Sequence, residues 1–125
     1  MILDASAALA GILGEPGADK VLAVLPDARL PAVNLAELVG VLRIRGMPEL
    51  DVRAAVVALG VAVEPFDEAM AWTTGLLQAR TPTGLGLGDR ACLATALHRG
   101  EPVLTADREW ASLDPGLGVD VRQVR

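Results

Sequence analysis

The sequence predicts an α/β fold with three layers, in which helices cover both faces of a central parallel sheet of about five strands. Short apolar segments alternate along the chain with longer segments whose apolar residues recur at helical spacing. Neither an internal repeat nor a linker interrupts this alternation. Strands that alternate with helices form a parallel sheet covered on both faces. Because 125 residues with 52% hydrophobic composition suffice for one core, we expect residues 1–125 to form a single domain.

The first half of the chain contains three predicted strands, and these are Met1–Leu3, Arg29–Val33 and Val61–Val63. Helices are predicted from Asp4 to about Gly11, from about Ala18 to Leu25, from Leu35 to Arg45 and from about Glu49 to Leu59. Glycine and proline residues separate these elements, at Gly14–Gly17, Pro26, Gly46, Pro48, Gly60 and Pro65.

The helix from Leu35 to Arg45 has its apolar residues at helical spacing. Asn34 precedes it and is predicted to cap it, since Asn is a favoured N-cap residue. Glu37 is predicted in the first turn, on a different side from the apolar residues. This helix therefore presents one carboxylate just after the second strand.

The second half of the chain is predicted to add one long helix, a glycine-rich loop, a helix that begins at an acid, and two strands. The elements are a helix at Asp67–Arg80, the loop Thr81–Gly88, a helix from Asp89 to Gly100, a strand at Pro102–Leu104, a short helix at Arg108–Leu113, a turn at Asp114–Gly118 and a final strand at Val119–Val124. The fourth strand leads into Thr105-Ala106-Asp107.

The composition narrows the function classes. With only Phe66, Trp72 and Trp110 as aromatic residues, the core must be aliphatic, and Cys92 is expected to lie in it. A single cysteine forms no internal disulfide, and no Cys/His pairs have zinc spacing, which suits a reducing compartment.

The start lacks a basic leader, and no uncharged apolar run approaches the ~18 residues that span a bilayer, so we expect a cytoplasmic protein with no membrane association. A formal charge of -5 argues against a broad electrostatic grip on nucleic acid and leaves a local basic patch open.

Four carboxylates follow or precede predicted strands. In parallel sheets, ligands bind outside the carboxyl ends of the strands, at the point where the strand order reverses. Asp4 ends the first strand and Asp107 follows the fourth, so both project into one crevice if these strands are neighbours. Glu37 and Asp89 would line its rim. Taken singly, each of the three aspartates is explained as a helix cap, and Glu37 as a solvated first-turn acid.

The four carboxylates together favour a metal site, because they would repel one another without a positive charge between them. Mg²⁺ or Mn²⁺ prefers oxygen ligands, keeps several waters and polarises phosphoryl oxygens. The joint pattern therefore points to hydrolysis of phosphodiesters.

These residues give the chain a family resemblance over essentially its whole length. The segments that carry it are Met-Ile-Leu-Asp-Ala-Ser-Ala at the start, Glu-Pro-Gly-Ala-Asp at 15–19, Asn-Leu-Ala-Glu at 34–37, Leu-Gly-Asp-Arg-Ala-Cys-Leu-Ala at 87–94 and Val-Leu-Thr-Ala-Asp at 103–107. With them the chain resembles a PIN domain, and specifically the VapC-type toxins of bacterial toxin-antitoxin pairs. The resemblance implies a PIN-like sheet with strand order 3-2-1-4-5.

The resemblance also implies a function. It implies a Mg²⁺-dependent endoribonuclease, Mn²⁺ being an alternative ion, that is inhibited by a cognate VapB-type antitoxin and acts on an RNA substrate. Asp4, Glu37, Asp89 and Asp107 match the family's acidic quartet as metal and catalytic residues, and Thr105 matches the small hydroxyl residue beside the last acid. We further expect the chain to form a homodimer and to bind the antitoxin through apolar surface near the acidic groove.

Two other classes of function are compatible with a similar fold. The first is an aspartate-based phosphoryl-transfer domain, which the sequence disfavours: a receiver domain needs a late-strand lysine and the only lysine is Lys20, while a dehalogenase-like phosphatase needs an acid where Ser6 stands. The second is an interaction module that keeps the PIN fold without the chemistry. No Gly-Lys-Ser/Thr follows the glycines at 84, 86 and 88, which disfavours a nucleotide-binding P-loop.

Four further side chains have open interpretations. Arg90 and Arg108 flank proposed ligands and either position a phosphate or pair with a neighbouring acid. Trp110 is the one candidate for stacking on RNA bases. His98 is expected to meet the last carbonyls of its helix or solvent rather than to act in catalysis.

Overall fold

Five short parallel strands form the centre of the molecule. The computed structural model describes Met1–Arg125, and the strands are β1 (Ile2–Leu3), β2 (Arg29–Pro31), β3 (Ala62–Glu64), β4 (Val103–Thr105) and β5 (Val121–Gln123). Their order in the sheet is β3-β2-β1-β4-β5, and every pairing is parallel. The chain runs outward from β1 to β3 and then returns to the other side of β1 at β4. The strand order therefore reverses between β1 and β4, which confirms the predicted order 3-2-1-4-5.

Six α-helices cover the sheet: α1 (Ala5–Leu13), α2 (Ala18–Val24), α3 (Ala32–Ile44), α4 (Glu49–Leu59), α5 (Glu68–Leu76) and α6 (Leu87–Arg99). Short 3₁₀ segments follow at Leu25–Asp27, Leu77–Arg80, Arg108–Ser112 and Pro115–Leu117. Helices α1 to α4 lie over one part of the core, while α5 and α6 pack against each other over the other part. None of the helices has the length and hydrophobicity needed to span a bilayer.

The core has two parts, one on each face of the sheet, and β1 contributes to both. Leu3 faces the part that includes Leu30, Leu38 and Val124, whereas Ile2 faces the part that includes Cys92. Both β1 side chains are fully buried, as expected for a strand in the middle of a parallel sheet. The core is aliphatic apart from Trp110, and Cys92 is a buried free thiol, as predicted.

The structure corrects the predicted start of α3. The second strand ends at Pro31 rather than at Val33, and Pro31 is the N-cap residue, with φ −60° and ψ 145°. Proline suits this boundary because its ring fixes φ and it has no amide hydrogen to leave unpaired. Asn34 is therefore inside the helix and does not cap it, and Glu37 lies in the second turn rather than the first.

Other boundaries differ by one to a few residues. Helix α6 begins at Leu87 instead of Asp89, because extended Gly86 precedes it and the Gly86 amide donates to Asp89 Oδ2 at 2.9 Å. The predicted helix Asp67–Arg80 ends at Leu76 and continues as a 3₁₀ turn. The last strand is shorter than predicted and comprises only Val121–Gln123.

Candidate metal and active site

Asp4 lies at the end of β1 and is the most buried of the four predicted acids, with 3% of its surface exposed. It is the N-cap of α1, and its Oδ1 accepts the Ala7 amide hydrogen at 2.8 Å. Ser6 Oγ donates to the same carboxylate at 2.8 Å, and Thr105 Oγ1 donates to Oδ2 at 2.7 Å. Asp4 therefore caps a helix and also faces the point where the strand order reverses.

Two hydroxyl groups connect the ends of β1 and β4. Thr105 Oγ1 accepts the Asp107 amide hydrogen at 3.0 Å while it donates to Asp4. Ser6 Oγ accepts the Ala106 amide hydrogen at 2.9 Å. The Asp107 carboxylate itself accepts the Glu109 amide hydrogen at 2.9 Å, as the N-cap of the following 3₁₀ segment. Thr105 is thus the direct link between the first and the last predicted acid.

Glu37 is held against the start of α6 by two residues. Asn34 Nδ2 donates to Glu37 Oε2 and to the Gly88 carbonyl, both at 3.1 Å. Gly88 lies directly beneath the Glu37 carboxylate, and a Cβ atom added at Gly88 would overlap that carboxylate. The absence of a side chain at Gly88 therefore gives Glu37 its place beside Asp89.

The pKa shifts show that three of the acids share one electrostatic environment. The pKa of Asp4 is raised from 3.8 to about 6, chiefly by burial and to a smaller extent by the charge of Asp89, while its hydrogen bonds oppose the shift. Burial, followed by the charge of Asp89, also raises the pKa of Glu37. Burial raises the pKa of the Cys92 thiol, with added contributions from the charges of Asp4, Asp89 and Glu37. The charges of all three carboxylates therefore act on one buried thiol, and the charge of Asp89 raises the pKa of both Asp4 and Glu37.

The four carboxylates have no cationic partner in the chain, since none of its ion pairs involves them. The pKa of Asp4 and of Glu37 is raised by burial and by the charge of Asp89, so these carboxylates form an oxygen-rich, negatively charged site, and this fits a hard divalent cation. The structure couples Asp4, Glu37 and Asp89 electrostatically and connects Asp107 to them through Thr105. It does not bring any three of them close enough to form a ligand set by themselves.

Sequence reasoning missed three residues that shape this site. From the sequence, Ser6 serves only to exclude a phosphatase, Asn34 is predicted as a cap, and Gly88 is predicted to lie in a turn. The sequence did contain a signal for two of them. Ser6 is two residues after Asp4, and Asn34 is three residues before Glu37, which places it on the same face of a helix.

The structure resolves the open interpretations of the remaining candidates. Neither Arg90 nor Arg108 forms an ion pair. Arg90 Nη1 instead donates to the Leu85 carbonyl at 2.7 Å. Trp110 is 1% exposed, so the prediction that it stacks on bases is wrong. His98 Nε2 lies 2.7 Å from Thr73 Oγ1 on the surface, away from the acids.

Asp4→Asn is expected to stabilise the fold at neutral pH and to have little effect at acidic pH. The folded-state pKa of about 6 lies above the ordinary value of 3.8. Protonation of Asp4 therefore stabilises the folded state fully at a pH below its ordinary pKa. This stabilisation is lost as the pH rises through the pKa of the folded state. Asn is neutral at every pH, so the variant does not lose this stabilisation as the pH rises. The difference between the two pKa values corresponds to roughly 3 kcal/mol in the free energy of unfolding. The hydrogen bond that Asn cannot accept subtracts about 1 kcal/mol from this gain.

Urea unfolding in EDTA, at pH values from about 4 to 8, measures this effect. Asp51→Asn, at an exposed acid of α4, is the control and should change the free energy of unfolding little at any pH. If Asp4→Asn changes the free energy of unfolding by the same amount at both ends of the pH range, the raised pKa does not belong to the Asp4 carboxyl.

Comparison with known proteins agrees with the fold. The sequence profile of the PIN domain matches residues 1–115. A VapC ribonuclease of Mycobacterium bovis is 31% identical over 125 residues, covering 91% of this chain and 95% of the relative. The crystal structure of DNA-bound VapBC from Salmonella typhimurium has a TM-score of 0.78 at 21% identity, covering 99% of this chain and 97% of that one. VapC20 of Mycobacterium tuberculosis, described as a sarcin-ricin loop cleaving toxin, has a TM-score of 0.70 at 20% identity, covering 89% and 92%.

The profile match covers most of the chain, and the identity to the Mycobacterium bovis ribonuclease extends over nearly the full length of both proteins. The sheet order and the acids at the β1/β4 reversal are consistent with this match. The chain therefore belongs to the PIN domain family.

Proposed function

We propose that the protein is a divalent-metal-dependent endoribonuclease of the VapC type, restrained by a cognate VapB-type antitoxin. The observation that carries this proposal is the set of carboxylates without cationic partners at the β1/β4 reversal, in which Asp89 raises the pKa of both Asp4 and Glu37. Full-length similarity to a VapC ribonuclease supports the reaction class. Similarity to toxin-antitoxin complexes supports the kind of partner.

Asp4, Asp89 and Asp107 would hold Mg²⁺ or Mn²⁺ together with water ligands, because no three of the acids form a ligand set by themselves. Glu37 would complete the site or act through a water molecule. The ion, when bound, supplies a water of lowered pKa and polarises a phosphoryl oxygen. The chain's own residues set the geometry. Ser6 and Thr105 fix the orientation of the Asp4 carboxylate.

Glu37 is the residue suited to accept a proton from an attacking water. Asn34 and the open space above Gly88 hold its carboxylate next to Asp89. Its raised pKa makes it a better proton acceptor than an ordinary glutamate. Thr105 keeps Asp4 and the Asp107 backbone at a fixed separation while the substrate binds.

Cleavage is expected to require a divalent ion. Purified protein, freed of any antitoxin, should cut mixed structured and single-stranded RNAs in Mg²⁺ or Mn²⁺ and leave them intact in EDTA. The same ions should raise the melting temperature, because they bind the folded state only. Cleavage in EDTA, or no cleavage together with no effect of the ions on melting, would contradict the proposal and favour a PIN-fold interaction module.

The chain is expected to form a homodimer and to bind its antitoxin beside the acidic groove. A cleft of about 520 Å³ runs from Ser6 and Glu37 to Val41 and Ile44, and the Ile44 side chain is 88% exposed. Exposed apolar surface of this kind marks interaction sites. Light scattering should give twice the mass of one chain, and Ile44→Glu should weaken capture of the co-expressed antitoxin at least tenfold. A monomer with no stable partner would contradict this part of the proposal.

A further inference from the structure

We propose that a cleft beside the acids holds one nucleotide of the RNA, next to the phosphate that is cut. This inference rests on the proposed ribonuclease function and adds a binding subsite to it. The flanking cleft, as we name it, is lined by Pro82, Gly84, Leu85, Arg108, Glu109 and Ala111, and encloses about 530 Å³. This volume is within the range of small-molecule pockets and accommodates a nucleotide.

The position of the flanking cleft places it next to the proposed reaction centre. One wall is the glycine-rich loop that leads into Asp89, and the other is the 3₁₀ segment that begins directly after Asp107. A strand of RNA whose phosphate lies at these two acids must therefore pass a neighbouring nucleotide over or into the cleft.

Hydrogen bonds hold both walls in place. The Leu85 amide donates to the Pro82 carbonyl at 3.1 Å, and Arg90 Nη1 donates to the Leu85 carbonyl. On the other side, Ser112 Oγ donates to the Glu109 carbonyl at 2.8 Å, and the segment is anchored by buried Trp110. The cleft is therefore formed before a ligand arrives, which lowers the entropic cost of binding.

The chemistry of the lining suits a single nucleotide. Arg108 is exposed and has no acidic partner, so its guanidinium is free to bind a phosphate. Pro82 and Ala111 give an exposed apolar surface for the face of a base, and the Glu109 carboxylate accepts hydrogen bonds from a base edge. Because Glu109 is negative, the cleft has no place for a second phosphate.

Gly84 offers a direct test, because it lines the cleft without supporting the fold. A Cβ at Gly84 meets no atom within 4 Å, and its backbone is not in the left-handed region. Gly84→Phe is therefore expected to fold normally and to fill the cleft. Cleavage of a randomised RNA pool should fall about tenfold in kcat/KM, the loss expected for one base contact. Sequencing of the cut ends should show that base preference is lost at one position beside the cut.

Arg108→Gln provides a second variant at the surface. It should raise KM about threefold to tenfold, leave kcat unchanged and keep the base preference, because a phosphate contact does not depend on sequence. Ala23→Phe is the control for Gly84→Phe, and Lys20→Gln is the control for Arg108→Gln. Both controls lie at exposed positions of α2, far from the cleft, and should leave kcat and KM unchanged.

RNA binding in EDTA, followed by fluorescence anisotropy of a short single-stranded pool, separates the two proposals. Weaker binding by Gly84→Phe than by the wild type supports the flanking cleft, and equal affinity overturns it whatever the cleavage result. Failure of the wild-type protein to cut any RNA in Mg²⁺ or Mn²⁺ overturns the proposed function instead. Unchanged cleavage and base preference in both Gly84→Phe and Arg108→Gln would overturn the cleft alone.

Discussion

Asp89→Asn is expected to abolish RNA cleavage while the fold survives. Asp89 is the acid whose charge raises the pKa of both Asp4 and Glu37, so its loss removes the centre of the proposed site. Asn has nearly the same size, and its side-chain oxygen still accepts the Gly86 amide hydrogen that begins α6. Since loss of a residue that merely supports a ligand costs about 10- to 100-fold, loss of a ligand should lower the cleavage rate more than about 100-fold.

Single-turnover cleavage in Mn²⁺ measures this loss, and circular dichroism with thermal melting establishes that the variant is folded. Asp67→Asn is the matched control, because Asp67 also accepts a backbone amide hydrogen at a helix start, that of Met70, but lies outside the acidic site. The control should cleave at the wild-type rate. Wild-type activity in Asp89→Asn would remove Asp89 from the catalytic set.

Gly88→Ala is expected to lower the cleavage rate by displacing the Glu37 carboxylate, without unfolding the protein. The new methyl group would occupy the space of the Glu37 carboxylate, which lies at the end of a flexible side chain and can rotate away. Alanine is also favoured over glycine inside a helix by roughly 0.5–1 kcal/mol, so the free energy of unfolding should change little. The carboxylate would lose its contact with Asn34 and its place beside Asp89, and cleavage should fall about 10- to 100-fold.

A double-variant cycle tests whether this loss acts through Glu37. If it does, Gly88→Ala should have little further effect in a Glu37→Gln background, because both changes remove the same positioned carboxylate. Gly75→Ala in α5 is the control, since a Cβ there meets no atom within 4 Å. Additive losses would show that Gly88 acts on another part of the molecule.

The fold was predictable from the sequence because the central strands β1, β2 and β4 are buried apolar segments, and because apolar residues recur at helical spacing in the segments between the strands. The acids were predictable because Asp4 and Asp107 follow strands directly. Their functional assignment depended on the joint pattern and on family resemblance, since each aspartate also has a plain capping role. The structure shows that Asp4 and Asp107 are caps, and a carboxylate that caps a helix is still able to belong to the proposed site.

The support of the acids was not predictable, because it depends on contacts between distant segments. Asn34 bonds the carbonyl of Gly88, which is 54 residues away, and no local pattern indicates that contact. The start of α3 was misplaced because Asn is the usual N-cap, whereas Pro31 takes that position here. Trp110 was considered for stacking because aromatic residues are few, but the core uses it instead.

The bond from Thr105 to Asp4 joins residues 101 positions apart, and this has a consequence for the protein during its own synthesis. The ribosome makes β1 long before β4, the neighbouring strand that completes the crevice. A nascent chain that ends before Thr105 lacks the hydroxyl that orients Asp4 and the strand that carries Asp107. The proposed site therefore cannot form during synthesis until β4 and Asp107 have left the exit tunnel.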